Sequence, residues 1–285
     1  MKLINTVNNK EIDFDGENIL LSERESSGID ADHSLSSGNY NGAMYMGGRL
    51  RERNMSLIGC LNISPSRFQV EKRKLCSIIN PLHLVRVINE SYTIEGYPVS
   101  TVKFAYNDEE NITGLYKFVI DIVCPDPYWK DITKNKSEIA LWKGQFHFPL
   151  IMPKPKGIIM GLKQPSLIVN VFNKGDVETG MIIEFRAKGT LSNPSLFNVN
   201  TRESIKINKS MVAGEVIRVN TNYGEKRIEN ILNGVTTNIL NLIDLGGGDT
   251  FLQLDVGDNL LRYDADTNPS NLEINIYFSP KYLGV

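Results

Sequence analysis

Residues 271–278 read Asn271-Leu272-Glu273-Ile274-Asn275-Ile276-Tyr277-Phe278. Leu272, Ile274, Ile276 and Phe278 recur at every second position with Glu273, Asn275 and Tyr277 between them, and only an extended strand gathers such a set on one face. The stretch is therefore predicted to be a strand with one side in a core. Met181, Ile183, Phe185 and Ala187 alternate in the same way with Ile182, Glu184, Arg186 and Lys188. Residues 167–172 form a short apolar run rich in β-branched side chains, and further strands fit 204–207, 215–219, 226–231, 250–254 and 258–263. Turn signals separate them: Asn173-Lys174-Gly175-Asp176, Asn193-Pro194, Asn222-Tyr223-Gly224, Asn233-Gly234, Gly246-Gly247-Gly248-Asp249 and Asn268-Pro269. Strands at this spacing predict an antiparallel β-sandwich.

Moving toward the N-terminus, the composition breaks at Cys124-Pro125-Asp126-Pro127-Tyr128-Trp129 and stays polar from Lys130 to Ser137. This places a domain boundary near residue 134, giving domains 1–134 and 135–285. The first domain also reads as strands, at 2–6, 10–14, 18–21, 49–61, 84–88, 91–105 and 114–124. It holds the one persuasive helix, 65–79: Ser64 can cap it, Pro65 suits its first position, and Phe68, Leu75, Ile78 and Ile79 can share a side. Asn80-Pro81 then stops it. Met44 to Arg53, with Gly47 and Gly48, reads as an exposed hairpin. The fold class is mainly β in two domains, the first sandwich-like with one helix and a hairpin.

The chain has 285 residues, 41% of them hydrophobic, enough for two packed cores. Thirty-one basic against thirty-three acidic residues give a net charge of −2, without the basic excess of a dedicated nucleic-acid binder. Charge is uneven locally. Segment 11–32 carries eight acids and one base, net −7, whereas 49–74 carries seven bases and two acids, net +5. Two readings are open: solvated faces or pairs within the domain, or a self-complementary surface through which copies meet head to tail and close a ring. Debye screening over about 8 Å would let such charges set register more than strength.

Other functional classes lack their signatures. No apolar run approaches the roughly 18 residues of a membrane helix, and the start lacks a signal-peptide stretch, so no membrane insertion is expected and the product is expected to stay in the cytosol of the cell that makes it until released. Cys60, Cys76 and Cys124 form no pair with metal or redox spacing and read as small hydrophobes. His33, His83 and His147 are scattered, which supports neither a metal centre nor a catalytic triad. Gly246-Gly247-Gly248 lacks the Lys-Ser/Thr of a phosphate loop. Asp264-Ala265-Asp266-Thr267-Asn268 imitates the start of a calcium loop, but Pro269 stands where that turn needs glycine, so it reads as a polar turn. No metal, cofactor or enzymatic role is expected. Trp129, Trp142, Phe146 and Phe148 admit core packing or a sugar-stacking platform.

Several segments resemble, in order and spacing, the phage distal tail proteins. In the first half these are the strand from Gly48 to Cys60, helix 65–79 and Asp126-Pro127-Tyr128-Trp129. In the second they are Gly175-Asp176-Val177-Glu178-Thr179-Gly180, Asn193-Pro194, Asn198 with Thr201, Thr221-Asn222-Tyr223-Gly224 with Lys226-Arg227, and Gly257 to Tyr263 ahead of the terminal strand. The resemblance implies a structural virion protein, the distal tail or baseplate hub of a long-tailed phage, prophage or tail-like particle. It implies a homo-hexameric ring built by the first domain, between the tail tube and a tail-associated hub or lysin-type protein, with the tape-measure protein and DNA passing within. The second domain would be a galectin-like or carbohydrate-module-like sandwich facing outward, carrying receptor-binding components in some members. Within that frame, Arg49, Arg51 and Arg53 on one strand face are the candidate contacts to Asp13, Asp15 and Glu17 of a neighbouring copy; the alternative is that Arg53 alone pairs locally and the other two are solvated. Two other readings remain: a carbohydrate-binding module mediating host-surface adhesion, stacking sugars on Trp142 or Tyr223, and a glycan hydrolase whose paired carboxylates spacing alone does not reveal.

Overall fold

The computed structural model describes residues 1–16, 18–26, 28–39, 41–105, 114–138, 142–144, 161–163, 168–245 and 251–285. They divide into two compact units, Met1–Ile132 joined by Tyr282–Val285, and Thr133–Lys281. Both are built from strands, with a single α-helix among the described residues. The predicted mainly-β class holds.

The first unit comprises β1 (Lys2–Asn5), β2 (Glu11–Asp13), β3 (Ile19–Ser26), β4 (Ala31–Ser37), β5 (Ala43–Leu50), β6 (Arg53–Asn62), α1 (Pro65–Ile78), β7 (Val85–Asn89), β8 (Tyr92–Pro98), β9 (Lys103–Phe104), β10 (Leu115–Cys124) and β11 (Trp129–Asp131). Its main sheet runs β2-β1-β7-β8-β10-β6-β3. The β10–β6 ladder pairs every residue from Leu115 opposite Asn62 to Cys124 opposite Arg53. It forms because Tyr116, Phe118, Ile120 and Ile122 on β10 and Met55, Leu57 and Leu61 on β6 all point into one core. Gly59 sits opposite Phe118, where a Cβ would come within 2.8 Å of the ring and 2.7 Å of the Leu20 carbonyl, so the ladder requires glycine there.

Helix α1 closes this core with Phe68, Leu75 and Ile78. Phe68 stacks on Tyr116 at 3.9 Å between centroids and meets Phe104 edge-on. Its outer side carries Arg67 and Lys74, both near Glu71. Ser64 occupies the N-cap but makes no side-chain cap; its hydroxyl contacts that of Ser66 at 3.2 Å. The predicted strand 49–61 is also corrected: it is two strands interrupted at Arg51-Glu52, with 43–50 belonging to a separate hairpin.

The second unit holds β12 (Asn135–Glu138), β13 (Trp142–Gly144), β14 (Gly161–Lys163), β15 (Ile168–Asn173), β16 (Met181–Ala187), β17 (Leu191–Asn198), β18 (Ser204–Lys206), β19 (Ser210–Met211), β20 (Val216–Asn220), β21 (Arg227–Leu232), β22 (Val235–Asn238), β23 (Gly257–Thr267), β24 (Leu272–Phe278) and β25 (Lys281–Tyr282, which ends in the first unit). One sheet runs β12-β24-β16-β20-β21-β22, the other β15-β23-β17-β18 with β19 beside β17. Phe185, Ile217 and Ile276 of the first sheet share a core with Val171, Leu196 and Leu261 of the second, so the two face each other as a sandwich. The period-two reading of 271–278 and 181–187 is realised as β24 and β16, paired antiparallel.

Two turn signals are overruled by this packing. Asn193-Pro194 lies inside β17, with Ser192 opposite Thr267 and Pro194 opposite Ala265. Asn193 absorbs the irregularity with φ +53°, a left-handed conformation that asparagine tolerates. Residues 264–267 are likewise the end of β23 and not a turn, which begins only at Asn268 with φ +51°. The triple-glycine segment 246–248 lies outside the described residues.

Candidate functional site

Strands β4 and β5 make a hairpin that forms a two-stranded sheet by itself. A lone hairpin is marginally stable in water and ordinarily covers its faces against something. Here Leu35, Met44, Tyr45 and Met46 are each about 60% exposed. Alternation puts Tyr45, with Leu35 opposite it, on one face and Met44, opposite Ser36, on the other, while Met46 sits in a bulge where the register shifts. Both faces of the hairpin therefore present apolar surface. Its base is fixed by charge: Asp32 lies opposite Arg49 and receives Nε of Arg49 and Nε of Arg51, each at 3.3 Å. Both arginine side chains stay more than half exposed, so these local pairs contribute little to stability and leave the guanidinium groups accessible.

Arg53 is different from its two neighbours. It stands in the inward phase of β6 and is 1% exposed. Its Nε donates to the Pro127 carbonyl at 2.8 Å, and Nη2 donates to the carbonyl of Leu283 in the returning C-terminal segment. Burial lowers its pKa below the ordinary value, while the nearby Cys124 acts in the opposite sense. Arg53 is thus removed from the exposed face shared by Arg49 and Arg51 and pairs locally, as the alternative reading of the sequence allowed. The phase of Met55, Leu57 and Leu61 was the signal that could have shown it.

Asp13 and Asp15 lie at and just beyond the end of edge strand β2. Asp13 is 3.5 Å from Lys2 Nζ and accepts the backbone N–H of Asp15, and Asp15 pairs with the N-terminal amino group. Both carboxylates are about half exposed. Glu17 lies outside the described residues. The sequence-selected acids and bases therefore occur on separate elements within a subunit, and Arg49 and Arg51 have Asp32 as their local partner.

In the second unit Tyr223 is 61% exposed in the turn between β20 and β21. Lys226 Nζ lies 5.2 Å from its ring centroid and the same distance from that of Phe251. The Tyr223 pKa is raised, chiefly by the charge of Glu178, whose Oε1 accepts its hydroxyl at 3.4 Å. Trp142 begins β13 by its backbone, and its side chain lies outside the described residues, as do Phe146 and Phe148. Nothing described brings Trp142 and Tyr223 together.

On the outward face of the six-stranded sheet, Glu184 is 5% exposed between two arginines. Arg186 reaches Oε2 at 2.6 Å and Arg218 reaches Oε1 at 2.9 Å. Burial works to raise the Glu184 pKa, but the two guanidinium groups outweigh it and hold the carboxyl below its ordinary range. Such fork-like pairing fixes the register of β16 against β20.

The family profile for the siphovirus-type tail component, C-terminal domain, matches residues 174–282. The distal tail protein of phage SPP1, described as a paradigm of the hub adsorption apparatus in phages infecting Gram-positive bacteria, superposes with a TM-score of 0.70 at 13% identity, covering 98% of each chain. A chain of the phage P2 baseplate, in its activated conformation with calcium, gives 0.53 at 11% identity over 100% of this chain and 99% of that one. No curated protein matches the sequence. Residues 174–282 thus match the C-terminal domain of the siphovirus-type tail component family, and from end to end the chain has the fold of a siphophage distal tail protein.

Proposed function

We propose that this protein is the structural hub at the distal end of a long phage tail, acting as a homo-hexameric ring in which the β4–β5 hairpin of each copy docks on its neighbour. The observation that carries the reading is the likeness, over nearly the whole chain, to a protein described as a hub of the adsorption apparatus. The hairpin supplies the physical means. Exposed Leu35, Met44, Tyr45 and Met46 offer an apolar centre, and Arg49 and Arg51 with the half-exposed Asp13 and Asp15 offer the charges that set register. A stable contact needs more than about 1,000 Å² of buried surface, which a two-faced hairpin inserted into a neighbour provides more readily than a flat sheet. In the virion the ring would join the tail tube above to the tail-associated hub protein below, around the tape-measure protein and later the DNA.

The test is the mass of the purified protein by light scattering, with negative-stain imaging. Wild type is expected as a ring. Met44→Ser with Tyr45→Ser and Met46→Ser is expected to leave folded monomers. A wild-type chain that stays monomeric at every concentration and is absent from tail particles defeats the reading. Arg49→Glu with Arg51→Glu is expected to block assembly, and adding Asp32→Lys, which restores opposite charges inside the hairpin, is expected not to rescue it. Rescue by the triple swap would mean that the two arginines serve only their own subunit.

A further inference from the structure

We propose that the outward face of the five-stranded sheet in the second unit is a self-pairing surface, on which a second copy of the chain docks about a two-fold axis through Leu260. The face is defined by strand register. Along β23, Phe172 lies opposite Asp258, Asn170 opposite Leu260, and Ile168 and Phe197 flank Arg262 on its two sides. Val199, just past the end of β17, donates its backbone N–H to the Leu260 carbonyl at 2.8 Å and extends the middle row. The alternate residues Val171, Leu196, Leu261 and Tyr263 point into the core, which turns this set outward. Phe172 is 59% exposed, Ile168 47%, Val199 39% and Leu260 38%. Being neighbours on adjacent strands, they form a contiguous apolar patch and not scattered single side chains.

The order of charges selects the occupant. Among the described residues neither Arg262 nor Asp258 has an ion-pair partner; Arg262 lies 5.7 Å from the Phe197 ring centroid, and Asp258 accepts the side-chain amide of Asn170. The outward positions of β23 thus read acid, leucine, base at 258, 260 and 262. A half-turn about the middle row exchanges the two ends, so copies laid face to face set Asp258 of each against Arg262 of the other. The same operation sets Phe172 against Ile168, Leu260 against Leu260, and Asn170 against Asn170, whose amide both donates and accepts. Any other partner would have to supply this pattern independently, whereas a second copy already carries it. Asp258 and Arg262 do not pair within one strand, because four residues span about 13 Å. Three strands by three rows measure about 14 Å on a side, so the contact is small and concentration-dependent, with the charges setting its register. It involves neither the hairpin nor the ring.

Sedimentation of the full chain from micromolar to millimolar concentration tests this, in wild type and in the chain carrying Met44→Ser, Tyr45→Ser and Met46→Ser. The mass is expected to double with concentration in both, which separates this contact from assembly through the hairpin. Leu260→Lys sets two ammonium groups on the axis, and Arg262→Asp sets carboxylates against carboxylates; each is expected to weaken doubling at least about tenfold with the melting temperature unchanged. Asp258→Arg combined with Arg262→Asp in one chain restores opposite charges across the axis and is expected to restore doubling. An equal mixture of Asp258→Arg chains and Arg262→Asp chains is expected to pair where neither does alone. A mass that never doubles, doubling by Arg262→Asp as strong as wild type, or a double swap no stronger than Arg262→Asp would overturn the proposal.

Discussion

Arg53 occupies an inward position of β6 opposite Cys124 at the end of β10, and its donors reach two backbone carbonyls, Pro127 and Leu283. Removing it leaves the buried Pro127 carbonyl without that donor, while the carbonyl of the exposed Leu283 stays within reach of water. Arg53→Ala is expected to cost about 2–4 kcal/mol in urea unfolding, and a value near zero would show that water or relaxation replaces the guanidinium. Arg49→Ala, exposed and paired with Asp32, should change stability by less than about 0.5 kcal/mol in the same measurement. Next to Arg53, burial pushes the Cys124 thiol up to about 11, with Arg53 pulling down and Asp126 pushing up. At neutral pH Cys124 should resist alkylation in the native protein and react only on unfolding, while half-buried Cys60 and Cys76 react first. Mass-spectrometric mapping of the labelled sites reads this directly.

At the scale of elements, the β16–β20 pair is held by Glu184 between Arg186 and Arg218. Because the folded pKa of Glu184 lies below the unfolded one, the contribution is complete above the ordinary glutamate range and is lost as pH falls through the folded value. Glu184→Gln should therefore lower stability by about 1–3 kcal/mol at neutral pH and flatten the acid limb of the stability curve. An acid limb identical to wild type would rule the cluster out as a pH-dependent support. The same strands show why sequence reading succeeded here: Met181, Ile183 and Phe185 all face the core in strict alternation. It failed at β17, where Asn193-Pro194 looks like a turn, because Leu191, Leu196 and the flanking strands hold the chain extended through a local irregularity. It also merged β5 with β6, since Arg49, Arg51 and Arg53 keep a period of two across a break that only pairing partners define.

For the whole molecule, the proposed ring would place function in surfaces that repeat around an axis. A ring that lets DNA pass cannot hold it by phosphate contacts, so the assembled hub is expected to show no retention of duplex DNA in a mobility-shift assay at physiological salt; a strong, salt-sensitive shift would contradict a neutral or acidic bore. The mainly-β class, the helix with its Phe68, Leu75 and Ile78 face, and the inward phases of the long strands were determined by the sequence itself, because period and turn chemistry are local properties of the chain. Only the tertiary structure decided that Tyr282–Val285 return to the first unit and lend Leu283 to Arg53, that Arg49 and Arg51 share Asp32, and that Phe197, Arg262, Lys206 and Asp264 meet on one sheet face. The Arg49–Asp32 and Arg53–Leu283 contacts join residues 17 and 230 positions apart, and all of these meetings depend on register and strand order, which no short window of sequence encodes.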